Sequence, residues 1–89
     1  MKTAVKRKKI LGRHIVADPK ICHGKPTFVG TRIMVWQILD QVARGLTPQQ
    51  ISDRWGGDVT TDAIAEAVML AKRSFEDHAT EYGKEKRPA

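Results

Sequence analysis

The pattern of apolar and polar positions changes at about residue 35, and the change predicts two kinds of structure. Residues 14–34 place prolines and glycines at short intervals among short runs such as Ile15-Val16 and Thr27-Phe28-Val29. That density of prolines and glycines excludes a helix, so the segment is predicted to form two short strands joined by turns. Two such strands are not stable alone, and we expect them to pack on helices or pair with a second copy.

Beyond residue 35 the apolar positions recur at helical spacing and predict three helices. The first runs from Val35 to Arg44 and ends at Gly45, a residue that commonly terminates helices. Its apolar face follows the i, i+3, i+4, i+7 pattern of an amphipathic helix. The members of that face are Val35, Ile38, Leu39 and Val42.

The second helix has a recognisable start. Thr47 is the predicted N-cap, Pro48 takes the first helical position, and Gln50 stands three residues after the cap, which together form a capping box. The helix is expected to reach Trp55, a residue assigned to the core, and to stop at Gly56-Gly57.

The third helix is predicted to begin at Thr60 and to extend as far as Tyr82 before Gly83 ends it. Its apolar stripe comprises Ile64, Ala67, Val68, Ala71 and Phe75. We therefore predict a mainly α fold, a three-helix helix-turn-helix bundle with a short N-terminal β element. One core is expected to hold Ile38, Leu39, Val42, Ile51, Ile64, Val68 and Ala71.

Charge is unevenly distributed along the 89 residues, which suffice for one domain. The net charge is +6, but a basic flexible leader (1–13) and a charged tail (84–89) carry the excess, whereas the compact domain between them (14–83) is slightly acidic. The leader is either a phosphate-binding arm or a solubilising extension. As an arm, its candidate nucleic-acid contacts are Lys6, Arg7, Lys8, Lys9 and Arg13.

A helix-turn-helix pair made by the second and third helices invites comparison with DNA-binding proteins. A recognition helix normally presents Arg, Lys, Asn or Gln from its first turns. Here the first two turns carry Asp62 and Glu66, which repel phosphate and which we interpret as ordinary solvated charge. If DNA is bound, the leader is expected to make much of the contact.

Candidate catalytic groups are few. Cys22 and His23 are neighbours, so on an extended strand they would point to opposite faces, which disfavours a Cys–His dyad. Neither pairs with other residues at a metal-ligand spacing. We predict no enzyme activity, no cofactor and no metal. One cysteine, the lack of a signal peptide and the lack of a membrane span indicate a cytoplasmic protein.

Two residues near the first helix have more than one interpretation. Arg32 either faces a partner or pairs within the fold with Asp40 or Asp18, and the internal pair is the favoured interpretation. Trp36 lies beside the apolar face rather than at its centre, so it belongs either to the core or to an interface, where exposed tryptophan is enriched.

Several motifs between Ile15 and Ala71 resemble those of the domain-of-unknown-function family 433. They are Asp18-Pro19, Gly24-Lys25-Pro26, Gly30-Thr31-Arg32-Ile33, the turn Gly45-Leu46-Thr47-Pro48 and the helix start at Thr60. One departure is His23, where members of the family often carry glycine.

The resemblance implies a homeodomain-like three-helix fold and an antitoxin that binds and neutralises a PIN-like ribonuclease toxin, in some cases also binding operator DNA. The alternative is a stand-alone helix-turn-helix transcriptional regulator. The acidic start of the third helix favours the former, and the basic leader keeps the latter open. We also expect a homodimer whose N-terminal strands pair across the two-fold axis. Candidate partner-binding residues are Arg32, Trp36, Lys72, Arg73, Lys84, Lys86 and Arg87.

Overall fold

A small antiparallel sheet precedes three helices in the computed structural model, which describes residues 7–81. The strands are β1 (Lys9–Ile10), β2 (Ile15–Ala17) and β3 (Pro26–Phe28), in the order β1-β2-β3. The helices are α1 (Val35–Ala43), α2 (Pro48–Arg54) and α3 (Thr61–Asp77). The predicted combination of three helices with an N-terminal β element is confirmed. Lys6, Lys84, Lys86 and Arg87 lie outside the described residues.

The sheet has three strands rather than the two predicted. The additional strand, β1, lies in the segment that the sequence assigned to the leader, and it pairs Lys9 with Ala17 and Ile10 with Val16. The connection to β2 is closed by the Leu11 and Gly12 amides, which both donate to the carbonyl oxygen of Ile15 at 3.0 Å. A two-residue strand in a basic run shows no alternation, so periodicity could not reveal it.

The Cys22–His23 pair does not lie on a strand, contrary to the sequence interpretation. Cys22, His23 and Gly24 form a short 3-10 turn between β2 and β3. The φ angles of Cys22 and His23 are 51° and 58°. This left-handed region is unfavourable for residues with a Cβ and is readily adopted by glycine.

Thr31 closes the turn after β3. Its hydroxyl donates to the carbonyl oxygen of Phe28 and accepts from the Ile33 amide, both at 2.9 Å. The start of α1 is held by Gln37, whose Oε1 accepts from the Met34 amide at 2.9 Å.

Both predicted caps are present. Thr47 Oγ1 accepts from the Gln50 amide at 3.1 Å, and Gln50 Oε1 accepts from the Thr47 amide at 2.8 Å. At the start of α3, Thr60 Oγ1 accepts from the Ala63 amide at 3.1 Å. Trp55, partly buried against the core, donates from Nε1 to Gln41 Oε1 at 3.0 Å and thereby links the end of α2 to α1.

The core lies between the sheet and the three helices. Its buried members are Ile15, Phe28, Ile38, Ile51, Val59, Ala63, Ile64 and Ala67, with Leu39 and Val42 partly buried against them. The prediction was wrong for Val68, which is 41% exposed, and for Ala71, which is also exposed. The apolar stripe predicted for α3 therefore combined residues that face the core with neighbouring apolar residues that are exposed to solvent.

Buried and exposed apolar residues of α3 should lose different amounts of stability when their side chains are truncated to alanine. Ile64→Ala should lower the free energy of unfolding by about 2–5 kcal/mol, because Ile64 is only 1% exposed and its removal leaves a cavity. Val68→Ala, one turn later, should cost less than about 1 kcal/mol. Urea unfolding of both variants measures the difference, and equal losses would contradict this core assignment.

Candidate interaction surfaces

Glu66 on α3 holds the β1–β2 connection with both of its carboxylate oxygens. Oε2 accepts from the Arg13 amide at 2.8 Å, and Oε1 accepts from the His14 amide at 2.7 Å. The His14 ring adds a contact, with Nδ1 3.2 Å from Oε1. We call this set of contacts the Glu66 clamp. It joins residues more than 50 positions apart in the sequence and fixes the connection against α3.

Gly12 allows this close approach. A Cβ at residue 12 would lie 2.7 Å from both Cδ and Oε2 of Glu66, which is far inside van der Waals contact. A side chain at residue 12 would therefore displace the Glu66 carboxylate from its present position.

Two opposing influences act on the Glu66 carboxyl group. Partial burial, the largest single influence, raises its pKa, but hydrogen bonds from the His14 and Arg13 amides and the interaction with the His14 ring lower it. The lowering prevails, and the pKa of Glu66 lies below the ordinary value of 4.5. The sequence interpretation of Glu66 as solvated charge is therefore wrong. Its partners are backbone amides, which carry no sequence signal.

The basic leader residues within the described chain all face solvent. Arg7 and Lys8 precede β1, Lys9 lies in it, and Arg13 lies in the clamped connection. These four predicted nucleic-acid contacts therefore lie in or next to the edge strand of the sheet and its connection to β2. The Asp62 side chain lies exposed one turn before Glu66 on α3.

An apolar groove of about 450 Å³ runs between the sheet, α1 and the second half of α3. Its lining includes Leu11, Pro26, Val35, Leu39, Leu70 and Ala71. The groove lies over the face of α3 that the sequence assigned to the core. Because Ala71 is small and exposed, the wall of the groove is open at this point.

Two predicted partner-binding positions lie directly next to groove residues in the sequence. Trp36 follows Val35 and is 58% exposed, so it lies at the surface and not in the core. Its Nε1 lies 3.3 Å from Met34 Sδ. On the opposite wall Lys72 follows Ala71. Its ammonium group pairs with Glu76 at 3.1 Å, one helical turn along α3, and Arg73 beside it is exposed.

The favoured internal pair of Arg32 is wrong. Asp40 pairs instead with Arg44, one turn along α1, with Nε 2.9 Å from Oδ2. The Asp18 carboxylate accepts from the Lys20 amide at 2.9 Å. Within residues 7–81 Arg32 forms no ion pair with either aspartate, and it is exposed.

Over residues 7–81 no three His, Cys, Asp or Glu side chains are grouped so that they could hold a metal ion. The helices in that part of the chain are too short or too polar to cross a membrane.

The clamp predicts a pH-dependent stability. Because the folded-state pKa of Glu66 is lowered, the stabilisation is fully present above pH 4.5 and is lost as the pH falls through the folded-state value. Glu66→Gln should lower the free energy of unfolding by about 1–3 kcal/mol at neutral pH. The difference from wild type should shrink below pH 4.5 in urea titrations at several pH values, and a constant difference would contradict the clamp.

A family model described as a protein of unknown function (DUF433) matches residues 15–71. The solved structure of Rv2018 from Mycobacterium tuberculosis is similar to this chain, with 33% sequence identity and a TM-score of 0.54. The similarity covers 61% of this chain but spans only 24% of the length of that protein. No curated protein matches the sequence. Since the family model spans more than half of the 89 residues, the chain belongs to the DUF433 family.

Proposed function

We propose that this protein is an antitoxin-like interaction protein that binds and neutralises a PIN-like ribonuclease. The observation that carries the proposal is the apolar groove, an open surface lined mostly by apolar side chains, in a domain whose Trp36 is also exposed. Burial of apolar surface drives most protein–protein association, and aromatic and Arg side chains concentrate at the centres of interfaces. The groove is therefore the best place for a partner segment to dock.

Exposed arginines of the domain suit the chemistry of such a nuclease. PIN-like nucleases hold a divalent metal in a ring of carboxylates, and an inhibitor can insert a cation there or cover the entrance. Arg32 and Arg73 are exposed, and a guanidinium forms bidentate pairs with carboxylates. In the proposed complex the groove supplies apolar contact, and these side chains face the acidic site.

A charge placed in the groove should weaken the complex. We expect Ala71→Arg to lower affinity for a PIN-like nuclease encoded beside this gene by about tenfold or more, because it blocks the groove and buries an unpaired cation. Ala65→Arg is the matched control, since Ala65 is exposed on α3 but does not line the groove. Calorimetry with purified partners measures the affinities. Equal affinity for both variants would show that the nuclease binds elsewhere.

The end of the chain is expected to contribute to inhibition. Residues 76–89 include the charged tail with Lys84, Lys86 and Arg87, which lies outside the described residues. We expect a chain ending at Phe75 to protect cells less well than the full chain when the nuclease is co-expressed, since a charged segment can order on binding its partner. Full protection by the truncated chain would contradict this role.

Binding of DNA, either of the protein's own operator or as a stand-alone regulator, is the second candidate function. Exposed Arg7, Lys8, Lys9 and Arg13 favour it, because cations that neutralise phosphates release counterions and supply affinity. The two carboxylates at the start of α3 are not equivalent, since Glu66 is engaged by backbone amides. Both carry a negative charge, but Asp62 is exposed whereas the Glu66 carboxylate is occupied by two backbone amides.

Dimerisation fits either function. We propose that β1 pairs with β1 of a second copy, because it is the edge strand of the sheet and its Ile10 is 69% exposed. An exposed strand edge presents unpaired backbone groups that a second strand can satisfy.

A further inference from the structure

The basic strand β1 is held to the domain by very little backbone pairing. Its ladder with β2 involves only two residue pairs, and strands of this length are marginal in water. The connection that follows is closed by two amides on the Ile15 carbonyl oxygen and is then fixed to α3 by the Glu66 clamp. Glu66 is thus the side chain that anchors residues 7–14 to the helical body.

We propose that Glu66 is a positioning residue for nucleic-acid binding, and that it holds the exposed cations of residues 7–13 in place for contact with the phosphates of DNA. The inference rests on the second candidate function. It adds the surface that contacts DNA and the residue that holds this surface in place.

The physical reason is preorganisation. A free basic segment must lose conformational entropy to bring its cations onto successive phosphates, and this loss weakens binding. In the clamped protein Lys9 lies on the paired strand β1, Arg7 and Lys8 directly precede it, and the Arg13 amide is held by the carboxylate. Part of the basic segment is therefore ordered before DNA binds.

Under this proposal, removal of the Glu66 carboxylate and removal of the Asp62 carboxylate change the affinity for DNA in opposite directions. Each carries a negative charge that repels phosphate, so charge alone predicts that removing either one strengthens DNA binding. Glu66 also holds the leader, whereas the Asp62 side chain makes no hydrogen bond or ion pair with residues 7–81. Loss of Glu66 should therefore weaken binding although it removes a repulsive charge.

The test compares four proteins by fluorescence anisotropy at several salt concentrations: wild type, Glu66→Gln, Glu66→Asp and Asp62→Asn. The probes are a labelled duplex of mixed sequence and the duplex upstream of the protein's own gene. Circular dichroism confirms that each variant is folded at the temperature used. Glu66→Asp keeps the charge but is one methylene shorter, so it separates reach from charge.

We expect Glu66→Gln and Glu66→Asp to bind about fivefold or more weakly, because the leader must then be ordered on binding. Their dependence of log affinity on log salt should also be shallower, since fewer phosphates are neutralised together. Asp62→Asn should bind as wild type does or more tightly.

Two results would overturn the inference in different ways. If wild type binds in a salt-dependent manner but Glu66→Gln binds equally or more tightly, charge alone governs affinity and the positioning role is wrong, while DNA binding stands. If wild type binds neither duplex, the DNA-binding function itself fails and the inference fails with it.

Discussion

One carboxylate ties the β1–β2 connection to α3, in addition to the apolar core that packs the sheet on the helices. The sheet contributes few backbone hydrogen bonds, and its first strand has only two paired residues. Glu66 adds two hydrogen bonds to this short pairing, because its two oxygens accept from two successive amides in the β1–β2 connection. Hydrogen bonds to a charged acceptor are stronger than those between neutral groups, so this contact can hold a segment that its own pairing cannot.

The groove depends on the same contact. Leu11, which forms part of the groove lining, directly precedes Gly12, the residue against which the Glu66 carboxylate lies. The clamp therefore fixes one wall of the groove while α1 and α3 form the others. The groove proposed for the nuclease and the basic segment proposed for DNA both include residues next to this contact, Leu11 for the groove and Arg13 for the basic segment.

Much of the fold could be predicted from the sequence because its signals are local. The cap at Thr47, its partner Gln50 and the cap at Thr60 are written within a few residues and are found in the structure. The misassigned residues depend on distant partners. Val68 follows the helical period of the core but is 41% exposed, because it lies to the side of the face that the sheet and α1 cover. Glu66 engages amides more than 50 residues away, which neither period nor residue type can indicate.

The Glu66 clamp contacts the main-chain amides of residues 13 and 14. The His14 ring is the one side chain that takes part in it. Every amino acid except proline offers an amide hydrogen at those positions. The steric requirement falls on Gly12, where a Cβ would meet the carboxylate. The attachment therefore places no demand on the side chains of residues 7–10. A domain built in this way tolerates exchange of those side chains while the same carboxylate still holds the main chain that follows them.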